Sequence, residues 1–438
     1  MPMKGSNHPY RAHLQELTRR LEGCLEGSGF NGALIPAGRP PLVFRDDLHY
    51  PYRPNPWFCQ WCPEAHPGSL IVVRPGIRPL LLFRQEDDYW HMPPIEPSGS
   101  WVSEWDIRVV RSTSEARSDI PAGRYLLLGE PDADWEGLAE ANPPGITHCL
   151  EYLRASKTAY ELSCLTEASL RAARGHLAAE RTWRGGGSEF DVHLAYCAAV
   201  GQRDDELPYR NIIGFDRHGA VLHYQHLERE RPPHSRSFLI DAGASAAGYA
   251  ADITRTWVAD SGDFSALVRA LDATQQRLAD NVRPGQDFRT LHCTAHLEIG
   301  QLLAEAGLVR CGAEEAVDSG VTRTFFPHGL GHLLGLQVHD VAGTAAAGGG
   351  DLPRPEGHPF LRLTRTLEAG CVVTIEPGIY FIDMLLDEAR ADGRRLLIDW
   401  DRVEAMYPYG GVRIEDNVVA LPEGPRNLTR EAFLALEA

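Results

Sequence analysis

Leu14, Leu17, Leu21 and Leu25 recur every three or four residues, which predicts a helix over 13–25 that stops at Gly27 and Gly29. Short apolar runs bounded by turn residues follow. Ala33 to Ile35, Leu42 to Phe44, Leu70 to Val73, Leu80 to Phe83, Ile107 to Val110 and Tyr125 to Leu128 are predicted strands, the middle pair joined through RPGIRP. The aromatic and proline-rich YPYRPNPW segment is predicted to be an ordered loop. Together these elements predict a small α/β domain.

Between Ala141 and Ser156 the composition shifts through NPPG, and a domain boundary is placed at residue 155. Thr158 with Glu161 forms a T-x-x-E capping box, and Leu162, Leu165 and Leu170 carry the helical stripe on until Gly185 to Gly187. Ser188 then opens a second helix. The part after the boundary is predicted to hold helices at 158–184, 188–201, 263–282 and 287–308. Its strands are expected near 208–214, 220–226, 236–242, 249–258, 371–376 and 411–420. Gly348 to Gly350 and DLPRPEGHP are predicted as a surface insertion. The predicted division is therefore 1–155 and 156–438.

Composition narrows the partners. At 438 residues, with 43% hydrophobic and 24% charged, the chain fits a two-domain globular protein. Sixty acidic against 43 basic residues leave a net charge of -17 without a basic block, which disfavours nucleic acid and anionic membrane. No apolar run is long enough to span a bilayer and the first residues carry no signal-peptide pattern, so a cytoplasmic location is expected. Nine cysteines scattered from Cys24 to Cys371 do not suggest a disulfide framework. Cys59 and Cys62 form a CxxC, expected to be two half-buried thiols.

Candidate chemistry starts at FPHGLGHLLGLQVHD, which places His328, His332 and His339 close together. Its glycines oppose an uninterrupted helix. A strand running into a loop is expected, with His328 and His332 on one face and Gly329 and Gly331 allowing close backbone approach. Asp241 and Asp252 flank a predicted hairpin; a turn centred on Ala246 and Ala247 would set them directly opposite, a pairing that asks for a cation. Glu376 ends the strand CVVTIEPGIY. In GGVRIEDNVVA, Arg413 and Glu415 share a face, and a buried carboxylate there needs a partner or a metal. Four carboxylates and one of the histidines suit two divalent ions such as Mn²⁺, Co²⁺ or Fe²⁺, hence amide or ester hydrolysis.

The segments DAGASAAGYAADITRTW, PHGLGHLLGLQVHD, TIEPGIY and GGVRIEDNVV, in that order, resemble the Xaa-Pro peptidases of the pita-bread metallopeptidase family, most of all its prolidase branch. NPWFCQW, DDYWH, LPYRNI and VLHY extend the resemblance over most of the chain. The resemblance implies an α+β chain, a pita-bread catalytic domain preceded by a smaller creatinase/prolidase-like α/β domain. It implies two Mn²⁺, or Co²⁺ in their place, held by Asp241, Asp252, His332, Glu376 and Glu415, with a bridging hydroxide as nucleophile. Glu376 is also the implied proton shuttle, and His223, His339 and Arg413 are the other implied catalytic residues. For the substrate it implies His328 and Tyr209 near a proline ring and Arg362 on the proline carboxylate, with Arg365 as rival. Asp46 or its neighbour Asp47 would take the free amino group. The implied function is hydrolysis of Xaa-Pro dipeptides by a homodimer, with aminopeptidase P activity on longer Xaa-Pro peptides as the alternative and organophosphate ester hydrolysis as a side activity. A metal-free binding protein on this fold is disfavoured, because all five ligand positions are filled. Arg210 and Ser245 to Ala247 depart from the family pattern at the pocket rim.

Overall fold

The computed structural model describes residues 8–437, and its contacts divide into two compact units, the first running to Ser163 and including Ala347–Gly349, the second comprising Cys164–Ala346 and the chain from Gly350 on. In the first unit six strands lie in one sheet: β1 (Gly32–Pro36), β2 (Leu70–Val73), β3 (Leu80–Arg84), β4 (Asp106–Val110), β5 (Tyr125–Leu127) and β6 (Ala139–Ala141), in the order β4-β3-β2-β1-β5-β6. The alternation of side chains explains why its central strands read as unbroken apolar runs. Ala33, Ile35, Ile71, Val73, Leu81 and Phe83 face one core with Leu14, Leu17 and Leu21 of the helix His8–Leu25. Leu34, Leu70, Val72, Leu80 and Leu82 face another, against Trp135. The Leu42 to Phe44 run is not a strand but part of an exposed loop closed by the bridge Leu42↔His49.

One cysteine pair departs from the sequence reading. Packing the helix His8–Leu25 beside Pro144–Arg154 brings Cys24 and Cys149 to a Cα separation of 6.0 Å, and they form a disulfide. Helix packing, which spacing along the chain does not reveal, sets this pairing. Cys59 and Cys62 are free and fully buried rather than half-buried, and burial pushes the Cys59 thiol up to about 12.

Capping boxes at Thr158/Glu161, in the last residues of the first unit, and at Ser188/Asp191, in the second, start the helices Ala159–Arg184 and Glu189–Val200. These two helices touch at Gly175, where a Cβ would lie 2.4 Å from the Tyr196 ring. Three antiparallel strands, β7 (Ile212–Phe215), β8 (Ser237–Asp241) and β11 (Thr254–Val258), pair in the order β11-β8-β7. The short strands β9 (Ser245–Ala246) and β10 (Tyr249–Ala250) close the hairpin between β8 and β11. Two further ladders, β12 (Val372–Ile375) with β15 (Asp416–Val419) and β13 (Gly378–Tyr380) with β14 (Gly411–Arg413), join this sheet through the bridge Thr254↔Glu415. The predicted strand at 220–226 is replaced by a 3₁₀ turn, Asp216–Ala220, and irregular chain.

The helix Phe288–Glu305 carries His292 and His296 into the core, against His358. His292 Nδ1 accepts from the Leu330 N–H at 3.3 Å, so its proton sits on Nε2, directed at His358 Nδ1 2.9 Å away. This tether fixes the backbone just before His332. Burial first, then neighbouring imidazoles, push His292 down to about 3 and His296 to about 2. Between the ordinary value of 6.5 and about 3, the unfolded chain therefore binds protons that the folded chain refuses, and stability falls as pH drops through that window. His296→Gln, which keeps a polar partner for Thr322, is expected to lessen the stability lost between about pH 7 and about pH 5 in urea titrations. An unchanged loss would refute this assignment.

Candidate metal centre

Asp241 ends β8, flanked by Ile212 on β7 and by Thr254 on β11. The hairpin turn lies at Ala247 and Gly248, with φ of 48° and 83°, one residue beyond the centre expected from sequence. Positive φ at both central residues is the geometry of a tight two-residue hairpin. The shift corrects the register. Asp252 is not opposite Asp241 but two residues before its partner Thr254, hence diagonal to it on the same face. The carboxylates still converge. The Tyr209 hydroxyl lies 2.7 Å from Asp241 Oδ1 and 2.5 Å from Asp252 Oδ1. One phenolic proton cannot serve both acceptors. Burial and then the Asp241 charge push Asp252 well above the usual carboxylate range.

His332 reaches the same place from an irregular segment, not a strand, running beside β12. Leu330 O accepts from Glu376 N–H at 2.8 Å, and His332 O accepts from Thr374 N–H at 3.0 Å. Gly331 makes this approach possible, since a Cβ there would lie 1.9 Å from Thr374 O. The close-approach role expected of the glycines is thus found. His332 Nδ1 donates to Leu333 O at 3.0 Å, which leaves the Nε2 lone pair facing Asp252 Oδ2 at 3.4 Å and Glu376 Oε1 at 3.8 Å. A lone pair aimed at two ionised carboxylates is repulsive unless a cation or a carboxyl proton lies among them, and burial holds this imidazole neutral, below its usual range.

Glu415 stands where the predicted strand 411–420 breaks, between β14 and β15, and its Oε2 accepts from Thr254 Oγ1 at 2.6 Å. Arg413 is buried beside it. Its guanidinium donates to Asp241 Oδ2 (2.6 Å), Thr254 Oγ1 (3.0 Å) and the Tyr380 hydroxyl (3.0 Å). Burial raises Glu376 and Glu415 well above the carboxylate range, with Glu415 as the next cause for the first and Asp252 for the second. Four carboxylates therefore share one guanidinium. Asp252, His332 and Glu415 offer ligand atoms within 4.8 Å of one another. Carboxylate oxygens with one imidazole fit hard or borderline divalent ions.

The other expected residues fall into two groups. His328 Nδ1 donates to Gly329 O, and its Nε2 accepts from the Tyr380 hydroxyl at 2.8 Å; burial pushes it down to about 3. His339 packs edge-on to His332, ring centroids 4.4 Å apart, and partial burial with His332 and Arg362 nearby lowers it. His223 and Arg362 are exposed and close enough to act on these imidazoles: His223 on His328 and His339, Arg362 on His332 and His339. Arg365 is instead buried, 3.4 Å from Glu368. Asp46 belongs to an exposed loop of the first unit, where its Oδ1 accepts the Asp47 and Leu48 N–H groups. Thr254 and Tyr380 were not anticipated. Each lies at an even offset along the chain from a carboxylate, Thr254 from Asp252 and Tyr380 from Glu376, and that pattern marks them.

Residues 163–421 match the model of metallopeptidase family M24, and residues 8–152 match that of the Xaa-Pro dipeptidase N-terminal domain. The Xaa-Pro dipeptidase of Xanthomonas oryzae pv. oryzae is 51% identical over 440 residues, spanning 99% of this chain and all of that protein. That of Stenotrophomonas maltophilia is 49% identical, with 97% of each chain covered. Among solved structures, Pseudomonas aeruginosa aminopeptidase PepP superposes with a TM-score of 0.73 at 22% identity, covering 97% of this chain and 98% of its own. Zinc-substituted Escherichia coli aminopeptidase P gives 0.69 at 22%, covering 96% and 98%. These likenesses show the fold, a pita-bread catalytic domain preceded by a smaller one. With both units matched and a buried carboxylate–imidazole cluster in the second, the chain belongs to metallopeptidase family M24.

Proposed function

We propose that the chain is a divalent-metal-dependent enzyme that hydrolyses Xaa-Pro dipeptides. The observation that carries the metal part is the His332 Nε2 lone pair facing Asp252 and Glu376 within a cluster of four carboxylates. The substrate part rests on the dipeptidases that the chain matches at about half identity over its full length. Asp241, Asp252, His332, Glu376 and Glu415 would hold two Mn²⁺ ions, whose four ionised carboxylates balance their charge. Bound there, the metal supplies an activated water and polarises the scissile carbonyl.

The chain's own residues do the rest. Glu376 would accept a proton and hand it to the departing proline nitrogen. Arg413 holds Asp241 in place and lends positive charge to the cluster. His223 and His339 line the substrate side and donate to the developing oxyanion and the amine. His328, locked to Tyr380, offers a neutral ring face to the proline. Tyr209 orients the two aspartates as well as bordering the pocket. Arg362, exposed yet close to His332 and His339, binds the proline carboxylate. The reading extends to a homodimer in the cytoplasm, as the prolidase resemblance implies. No helix among the described residues is long and apolar enough to cross a membrane.

Leu-Pro is expected to be cleaved with added Mn²⁺, and Leu-Pro-Xaa hardly at all; appreciable tripeptide turnover would replace the dipeptidase by an aminopeptidase. Arg362→Ala should raise KM for Leu-Pro about 10–100-fold, the loss of one charged hydrogen-bonding pair, with metal content unaltered. An unchanged KM would remove Arg362 from the substrate. In His332→Ala, bound metal measured by emission spectrometry should fall together with activity, whereas full metal content would exclude it as a ligand.

A further inference from the structure

The helix Glu189–Val200 places His193 and Cys197 one turn apart on the same side. It ends at Gly201, with φ of 68°, and the following turn folds back through the Glu206 and Leu207 N–H groups, both donated to Arg203 O. Asp204 is thereby returned to the helix. His193 Nε2 lies 3.1 Å from Asp204 Oδ1 and 3.7 Å from Cys197 Sγ, and the three ligand atoms fall within 4.8 Å of one another. Around a tetrahedral zinc ion, nitrogen, oxygen and sulfur ligands sit about 3.3–3.6 Å apart. The spacing needs little adjustment.

The surroundings also suit an ion. Asn211 is buried with its Nδ2 3.2 Å from His193 Nδ1, while its Oδ1 has no hydrogen-bond partner. Turned over, the amide presents Oδ1 to an Nδ1–H, and that tautomer frees the Nε2 lone pair, the usual outer support of a metal-bound imidazole. A thiolate and a carboxylate together neutralise a 2+ charge, and the exposed Asp204 side chain leaves a route in. His292, His296 and His358 are equally close together, but His292 Nδ1 is taken by Leu330 N–H and its Nε2–H by His358.

We propose that His193, Cys197 and Asp204 form a second metal site, for one divalent ion of the zinc class, sharing no residue with the carboxylate cluster. On binding, the Asn211 amide turns over and the single His193 ring proton moves from Nε2 to Nδ1, Cys197 loses its thiol proton to solvent, and the open fourth position takes water. Without metal, burial and the Asp204 charge push that thiol up to about 11, so binding is coupled to release of one proton. The ion ties the helix end to the turn leading to Tyr209, whose hydroxyl bridges Asp241 and Asp252.

The test is titration of the Mn²⁺-loaded protein with Co²⁺, followed in the near ultraviolet. A sulfur-to-cobalt charge-transfer band saturating at one Co²⁺ per chain and bleached by Zn²⁺ is expected; the oxygen and nitrogen ligands of the carboxylate cluster give none. Cys197→Ser should abolish the band with the far-ultraviolet circular dichroism unchanged. Asp204→Asn, in an exposed turn, should keep the band but weaken Co²⁺ about 10–100-fold. Absence of the band in the native chain, its survival in Cys197→Ser, or unaltered affinity in Asp204→Asn would each overturn the proposal.

Discussion

The second unit is organised around a repulsion. Asp241, Asp252, Glu376 and Glu415 are brought together with Arg413 as their buried guanidinium. Two ionised carboxylates about 4 Å apart repel by about 4 kcal/mol at the effective dielectric of a protein, so three such pairs approach the whole 5–15 kcal/mol stability of a folded domain. The fold can hold this arrangement only if protons or cations neutralise it. Folding and metal binding are therefore linked, and the hydroxyls of Thr254 and Tyr209 are the neutral donors that orient the carboxylates until the charge arrives.

Backbone carbonyls aim the histidines, but what each free nitrogen meets decides which can serve a metal. His328 and His332 each donate Nδ1–H to the carbonyl of the next residue, Gly329 and Leu333, so both hold the same tautomer and both direct an Nε2 lone pair outward. They differ in what that lone pair meets. For His328 it is the Tyr380 hydroxyl, itself polarised by Arg413, and the ring is satisfied; for His332 it is a pair of carboxylate oxygens, and the ring is not. Equivalent local geometry thus produces opposite roles, which explains why three histidines in one segment could not be sorted by spacing alone. The sorting is done across the sheet, by β12 and β13.

Much of this was legible along the chain because it depends on local periodicity. The leucine stripe, the capping boxes and the two-faced apolar strands each follow from rules acting within a few residues. Asp241 and Glu376 were legible as strand-end residues, Asp252 and Glu415 as carboxylates within predicted strands, and Gly331 as a point of close approach. What escaped depends on a single-residue choice or on packing at a distance. A hairpin turn at Ala247 and Gly248 instead of Ala246 and Ala247 moves Asp252 from opposite to diagonal, yet both turns are built from small residues. The run at 220–226 alternates well enough for a strand, but Tyr224 is drawn to Glu189 and stacks on His218 instead. Cys24 and Cys149 meet only because two helices do.

Burial separates what the site does from what it accepts. Asp252, His332, Glu415 and Arg413 are sealed from solvent, where each charge acts strongly and a change of one disturbs the rest. His223 and Arg362 are exposed, where water weakens any single charge and substitution leaves the core standing. The fold itself is shared with aminopeptidase P structures at 22% identity, so the fold does not fix where a bound peptide must end. That limit has to come from the rim. In the proposed reading Arg362 would set it, because a guanidinium selects for a free carboxylate over an amide, which offers one neutral oxygen where two charged ones are needed. Discrimination between a dipeptide and a longer chain would then rest on the carboxylate's charge, at a position where losing it costs affinity without unfolding the centre behind it.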